Sequence, residues 1–333
     1  LIVITLENDS KEIQITLIVG SLYEELNTLN LLLNSLGSNI NYLKEVICVV
    51  SGVDTKEKFN KVSKLKKTIK INSEIIIKKN IIMPGEARNI GIRKSKYEYI
   101  CLLDSHPLPD PNWLSNSITI LKNRKLRAIL GKTKYEGLNE FEKCFIAATY
   151  GNNPLPTIQG TLIERNLLSE IGFFIPNTRS GEDGEWIKRA KYFYPNLIES
   201  EVLPCKYIGL KGKSFIDLSL KWYLTLKNTV NPRFFNQRIL YFLFFSTTSL
   251  LIAFSWNDNV ASWDKNSFYY LPHISKIMIS FNFSIYFIYR MIILPIRKNV
   301  NIFKFNLIEF FKFFFISIIL DFIKLIAFIN HQD

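Results

Sequence analysis

Apolar and polar positions along the chain fall into two regimes. Up to about residue 230, short β-branched runs (IQITLIV, EVICVV, SEIII and YEYICLL) alternate with stretches of helical period, EELNTLNLLLNSL, KEKFNKVSKLKK and EARNIGIRKS. Runs apolar on both faces, separated by amphipathic helices, predict an α/β fold: a mostly parallel sheet covered by helices on both sides. The loops at the carboxyl ends of such strands form the ligand crevice. Ser21, Glu24, Ser51, Asp54, Gly85, Arg88, Asp104 and His106 all follow strands, so the pattern gathers them on one edge. After Trp113 it predicts a helix over SNSITILKN and a strand at AILGK, then a looser region through Pro156 to which the pattern assigns no element. GTLIERNLLSEIGFF reads as a strand leading into a short helix, and SGEDGEWIKRAKYF as a second helix. No internal repeat is evident.

Beyond residue 231 the chain turns apolar. Residues 239–257, ILYFLFFSTTSLLIAFSWN, carry no charge, close to the roughly 20 residues that a membrane-spanning helix needs. A second apolar stretch, 277–296, is interrupted by Arg290. A third, 303–329, contains Glu309, Lys312, Asp321 and Lys324, which share about half of a helical wheel and suit a helix lying in the interface. The pattern therefore divides the chain into an α/β domain, 1–230, and a C-terminal transmembrane or interfacial helical region, 231–333. A buried helical subdomain is the competing reading of the second part. Lys221, Lys227, Arg233 and Arg238 precede the first span, and Arg290, Arg297, Lys298 and Lys304 lie between the second and third. The loop 258–265 is less basic, a bias that places the large N-terminal domain on the cytoplasmic side.

Charge adds little discrimination. With 42 Lys and Arg against 29 Asp and Glu the formal net charge is +13, compatible with nucleic acid, an anionic membrane or a phosphorylated ligand. The lysines between Lys56 and Lys79 read first as a solvated helix face. That segment has one aromatic, Phe59, so it lacks the stacking platforms of a nucleic-acid binder. The four cysteines, Cys48, Cys101, Cys144 and Cys205, lie far apart, which suggests neither a disulfide framework nor a zinc site and fits a reducing setting. The opening LIVITL is too short an apolar region for a secretory signal.

The segment PGEARNIGIRKSKYEYICLLDSHPLPDPNWL carries a specific resemblance. Ala87, Arg88, Asn89 and Gly91, then a strand ending in an acid, then Pro111-Asn112-Trp113-Leu114 stand in the order and spacing of the family 2 glycosyltransferases, which have the GT-A (Rossmann-like) fold. The likeness extends from about Ile13 to Arg189 and includes ITLIVGSLYEE, EVICVVSGVDT, IQGTLIERNLLSEIGFF and GEDGEW. It implies an enzyme that binds a nucleotide diphosphate sugar over the sheet edge and moves the sugar to an acceptor hydroxyl. It also implies Mn²⁺ or Mg²⁺ to neutralise the leaving diphosphate and a positioned carboxylate to take the acceptor proton.

By this resemblance Asp104-Ser105-His106 stands where the family carries Asp-x-Asp, with Asp104 and His106 as metal ligands. Imidazole suits Mn²⁺ better than Mg²⁺. The related polypeptide N-acetylgalactosaminyltransferases carry a similar Asp-Ser-His but add a later histidine. Here only His273 and His331 remain, both in the apolar region, and Lys206-Tyr207-Ile208 stands roughly at the corresponding place. On the residues alone, His106 reads equally as a turn residue bonding its own loop. Glu182-Asp183 matches the family's Glu-Asp pair, making Asp183 the general base of an inverting enzyme, with Glu182 shaping the acceptor pocket and Trp186 offering a face to a sugar ring. The same stretch also reads as a helix start capped by Ser180, and Trp186 as core. Arg88 and Asn89 would meet the diphosphate or nucleotide; otherwise Arg88 pairs with Glu86 or Glu98. Ser21, Glu24 and Asp54 complete the donor side, although the family's Pro-x-Tyr-Asn-Glu is Gly20-Ser21-Leu22-Tyr23-Glu24-Glu25 here and its Asp-Asp-Gly-Ser is Ser51-Gly52-Val53-Asp54.

The expected protein is thus a membrane-attached glycosyltransferase whose partners are a nucleotide diphosphate sugar, a glycan or lipid-linked acceptor, and the membrane, with no nucleic acid. The alternative is a non-catalytic, glycosyltransferase-like membrane scaffold.

Overall fold

The apolar runs become the strands of a sheet whose two faces are both covered. The structure, a computed structural model, describes residues 13–330 except 67, 68, 70, 211–213 and 229–236. The opening LIVITL, Arg233, His331 and the expected boundary at 230/231 lie outside the described residues. The strands are β1 (Ile15–Leu22), β2 (Leu43–Ser51), β3 (Ser73–Lys78), β4 (Tyr99–Asp104), β5 (Leu108–Pro109), β6 (Ala128–Leu130), β7 (Lys132–Glu136), β8 (Leu155–Pro156), β9 (Thr161–Glu164), β10 (Ile198–Glu199) and β11 (Cys205–Ile208). The helices are α1 (Leu26–Ser35), α2 (Lys56–Leu65), α3 (Pro84–Lys94), α4 (Trp113–Asn123), α5 (Glu140–Ala148), α6 (Arg165–Ile171), α7 (Glu182–Phe193), α8 (Phe215–Lys227), α9 (Gln237–Asn259), α10 (Ile274–Ile288), α11 (Leu294–Arg297) and α12 (Leu307–Ile329).

The chain divides into two compact units. Unit 1 comprises residues 1–136, 154–210 and 228–230, and unit 2 comprises residues 137–153, 211–227 and 231–333. Unit 2 thus takes in two segments that precede the apolar tail in sequence.

Unit 1 holds a seven-stranded sheet of order β10-β6-β9-β4-β1-β2-β3. All its pairings are parallel except those of β9 with β4 and β6. Alternation along β1 fills both faces. Leu17 and Val19 join Leu29 and Leu32 of α1, Val62 of α2 and Trp113 of α4 in one core. Ile18, between them, joins Ile92 of α3, Leu168 of α6 and Trp186 of α7 in the other. A second sheet, of order β5-β11-β7-β8, is built from strands too short for the hydropathy pattern to show.

Local chemistry explains the boundaries. Thr55 caps α2 by accepting from the Lys58 N–H at 3.3 Å, and α2 turns most of its lysines outward as a solvated face. α3 starts with Pro84 in its first turn. The looser region before Pro156, to which the pattern assigns no element, contains α5. Asn139 caps that helix by accepting from the Glu142 N–H at 2.9 Å, a start signal masked by the preceding glycine and leucine.

In unit 2, α10 and α11 run on through a π-helical turn at Tyr289–Ile293. Residues Ile274–Arg297 form a helix of 24 residues with mean hydropathy 1.7, long and apolar enough to cross a membrane, and among the described residues it alone meets that measure. The expectation of an interfacial third helix rested on four charges sharing about half of a helical wheel. In α12, however, Lys312 pairs with Glu140 at 2.9 Å, while Asp321 pairs with Lys324 at 3.2 Å and Arg290 at 3.1 Å. These charges therefore face partners within the unit.

Gly91 sets how closely α3 lies on β1, since a Cβ there would stand 2.4 Å from Ile18 Cγ2. Gly91→Ala is expected to destabilise the protein by about 1–3 kcal/mol through overpacking. Gly184→Ala, where an added Cβ meets nothing within 4 Å, is expected to be neutral or stabilising. Urea denaturation of the two variants checks the contrast, and equal behaviour contradicts the close packing.

Candidate active site

The site begins with one buried cation. Arg88, on α3, is 3% exposed. Its Nη1 donates to Glu182 Oε1 at 2.9 Å, and its Nη2 donates to Asp104 Oδ1 at 2.9 Å and Oδ2 at 3.3 Å. The acid at the end of β4 and the acid at the start of α7 are thus held by a single guanidinium. Neither Glu86 nor Glu98, the surface partners considered from the sequence, takes this role. Burial works against the Arg88 charge, but the carboxylates of Asp104, Glu182 and Asp183 outweigh it and hold its pKa above the ordinary value. Burial lifts the Glu182 carboxyl above its ordinary value, opposed by Arg88 and reinforced by Asp183.

The surrounding elements are packed to make this contact. A Cβ on Gly85 would stand 2.5 Å from the Ile175 carbonyl and 3.3 Å from Glu182 Cγ, so glycine is what lets α3 approach α7 so closely. The Phe174 ring lies 5.3 Å from the Arg88 guanidinium on one side and stacks on Trp186 on the other, with centroids 5.2 Å apart. Asn89 is buried, and its amide both donates to and accepts from the Phe174 backbone, at 2.8 and 2.9 Å. The structure thus places Asn89 in a backbone clasp. Trp186, the expected sugar platform, is fully buried, donates to the Gly172 carbonyl at 2.9 Å and belongs to the core. Gly181, with left-handed φ, occupies the cap position of α7 expected for Ser180. Half-buried Asp183 accepts from the Gly184 N–H at 2.8 Å.

A second constellation surrounds His106. Ser105 Oγ donates to Glu25 Oε2 at 2.6 Å and lies 2.8 Å from His106 Nδ1. With the hydroxyl proton directed at the carboxylate, Nδ1 is the donor toward Ser105, and it lies 3.5 Å from Glu25 Oε2 as well. The ring stacks on Tyr207 at 5.7 Å with an interplanar angle of 11°. Tyr207 comes from β11 of the second sheet, at the place noted in the sequence for a missing histidine. Glu25 and Tyr207 were not singled out, because one follows a strand within a run of acids and the other lies in a strand of only four residues.

The other donor-side candidates stand at the β1 and β2 ends. Ser21 is buried and donates to the Leu22 carbonyl at 3.0 Å. Glu24 follows in a 3-10 turn, and a Cβ on Gly52 would stand 3.9 Å from its Oε2. Asp54 forms an exposed ion pair with Lys58 at 2.8 Å, whose ammonium lies 5.0 Å from the Tyr23 ring centroid. The Lys58 hydrogen bond holds the Asp54 pKa below its ordinary value.

For a divalent cation the available protein donors are few. No group of three or more His, Cys, Asp or Glu side chains able to hold a metal occurs among the described residues. Of the two donors expected from the sequence, Asp104 accepts from Arg88 Nη2 with both oxygens and His106 is tied to Ser105 through Nδ1, so a cation there would take most of its ligands from substrate phosphates and water. The Nδ1–Ser105–Glu25 chain fixes the orientation of the His106 ring.

Residues 18–180 match the model of the glycosyl transferase family 2. They are a family 2 glycosyltransferase domain, GT-A-like in its mostly parallel seven-stranded sheet, and the chain is a glycosyltransferase of that type. Among solved structures the chain is similar to Staphylococcus aureus TarS 1-349 in complex with UDP-GlcNAc, at 15% identity over 92% of this chain and 90% of that one, TM-score 0.45. It is also similar to the mannosyltransferase PcManGT from Pyrobaculum calidifontis in complex with GDP-Man and Mn²⁺, at 12% identity over 95% and 86%, TM-score 0.49. Another S. aureus TarS structure aligns over 64% of this chain at 17% identity, TM-score 0.42, and this chain spans 39% of its length. No curated protein matches.

Arg88→Met is expected to lower folding stability by about 3–5 kcal/mol, since it leaves buried charge without its partner. Arg88→Lys is expected to lose less, because an ammonium reaches one carboxylate but lacks the planar fork. Chemical denaturation measures both, and a wild-type midpoint for Arg88→Met contradicts the clasp.

Proposed function

We propose that the protein transfers a sugar, with inversion, from a nucleotide diphosphate sugar to a hydroxyl of a glycan or lipid-linked acceptor at a membrane. The observation that carries this reading is Arg88 tying Asp104 to Glu182, with Asp183 adjacent at the carboxyl edge of the sheet. Glu182 is committed to Arg88, which leaves Asp183 as the carboxylate to receive a proton. The acceptor hydroxyl gives its proton to Asp183 as its oxygen bonds to the anomeric carbon, and the bond from that carbon to the diphosphate oxygen breaks. Ser21, Glu24 and Asp54 line the donor side, and Arg88 and Asn89 hold the walls that frame it. Mn²⁺, or Mg²⁺, held by Asp104 and His106, would supply charge neutralisation to the diphosphate.

Attachment to a membrane is supported by Ile274–Arg297 and by large apolar side chains exposed on unit 2, among them Phe268, Phe303, Leu307 and Phe322. With α9 as a first crossing and Ile274–Arg297 as a second, Lys298 and Lys304 return to the side of the N-terminal domain, which supports placing that domain on the cytoplasmic side.

Turnover of UDP- and GDP-sugars by the purified protein in detergent tests this reading. Asp183→Asn is expected to lower turnover by about 10²–10⁴-fold while nucleotide binding persists. Undiminished turnover removes Asp183 from the role, and no binding of either nucleotide overturns the donor assignment.

Glu25→Gln is expected to weaken Mn²⁺-dependent UDP or GDP binding by about 10–100-fold, through loss of the support behind His106. Calorimetric titration with Mn²⁺ against EDTA reads this, and an unchanged Mn²⁺ dependence overturns it.

A further inference from the structure

Unit 2 contains a cluster of basic side chains with more positive charge than the protein balances. Arg290 is 2% exposed in the π-helical turn at Tyr289–Ile293, and such turns recur at functional positions in helices. Its Nε lies 3.1 Å from Asp321 Oδ2, and its Nη2 donates to the Ser317 carbonyl at 3.5 Å. Lys324 reaches Asp321 Oδ1 at 3.2 Å, and Tyr286 donates to Asp321 Oδ2 at 3.1 Å. Lys298 donates from Nζ to the carbonyls of Ala148 and Thr149 at 3.2 and 2.5 Å, and burial, with the charges of Arg290 and Lys324, pushes the pKa of its ammonium down to about 7, a shift that a bound anion would reverse.

Two cations, Arg290 and Lys324, thus contact one carboxylate, with Lys298 beside them. Among the described residues, Asp321 is the acid in contact with Arg290 and Lys324. Glu309 is engaged with the Asn306 N–H at the start of α12, and Glu140 pairs with Lys312. Buried charge of one sign is costly unless an opposite charge accompanies it, and ionisable groups within apolar helices mark binding sites. Ser317 Oγ, buried at the same place, has no hydrogen-bond partner, and Arg290 Nε, although ion-paired with Asp321, makes no well-aligned hydrogen bond. An anion with several acceptor oxygens answers both features, because it balances charge and accepts from a guanidinium and a hydroxyl together.

We propose that Arg290, Lys298 and Lys324, beside Ser317, form an anion site in unit 2 for a phosphate group. The chemistry is that of a phosphate monoester or diester, supplied by a lipid headgroup or by a soluble phosphate. Its residues all belong to unit 2, and its test does not depend on transferase turnover.

The full chain in detergent is titrated calorimetrically with inorganic phosphate and pyrophosphate. In parallel its flotation is followed with vesicles of phosphatidylcholine mixed with phosphatidylglycerol, against pure phosphatidylcholine. Lys324→Gln and Lys298→Gln are each expected to weaken anion-dependent binding by about five-fold, and Asp321→Asn to strengthen it. Lys276→Gln, exposed on α10 outside the cluster, is expected to leave it unchanged. Binding of phosphate or pyrophosphate with this dependence identifies a soluble ligand. The same dependence seen only with the anionic vesicles identifies a headgroup. Wild-type binding by the Lys298 and Lys324 variants in both assays, or an equal loss in Lys276→Gln, overturns the site. Lys324 is partly exposed, so its variant keeps the test decisive if a substitution at Arg290 does not fold.

Discussion

The geometry of the catalytic unit depends on one buried guanidinium. Arg88 stands between carboxylates that are far apart in the chain, and each of its neighbours is placed to let it do so. Gly85 removes the Cβ that would keep α3 away from α7. Asn89 clasps the Phe174 backbone, and Phe174 fills the space between the guanidinium and Trp186. An apolar cluster of the same volume would join α3 to α7 equally well, and such replacements of buried ion pairs are often neutral or stabilising. It would not hold the acid of β4 and the acid of α7 within the span of one planar group. The arrangement is therefore better explained by positioning than by stability.

His106 is organised by a different means. A proton chain through Ser105 to Glu25 sets its tautomer, and Tyr207 fixes the plane of its ring. Both supports come from outside the Asp104-Ser105-His106 turn, one from the element after β1 and one from the second sheet. His106 thus bonds its own loop through Ser105, as the alternative reading expected, while Glu25 and Tyr207 hold that loop bond and the ring plane from outside the turn. Unit 2 shows the complementary case, in which basic groups gathered around Asp321 outnumber it and leave charge for a ligand to balance.

Much of this was legible before any coordinates. The β-branched runs alternating with helical periods announce a covered parallel sheet, because side chains in buried parallel strands meet apolar neighbours on both faces. The ends of those strands must deliver Asp104, Ser21 and Ser51 to one edge, whatever the details of packing. The start of α7 at Glu182-Asp183 and the apolar character of the tail are equally local properties. Strands of two to five residues are not, since so short a run has no measurable period, and the second sheet with Tyr207 was invisible for that reason.

By itself, then, the sequence determined the class of fold, the edge on which the chemistry gathers and the residue types present there, all of which follow from periodicity and motif. Only the tertiary structure decided which acid Arg88 meets, that Trp186 and Asn89 face the interior, and that Glu25 stands behind His106. It likewise decided that the charges of α12 turn toward Arg290 and Glu140. Each of these is a pairing across long stretches of chain, set by how helices close on a sheet, and no local pattern encodes the distance between two such groups.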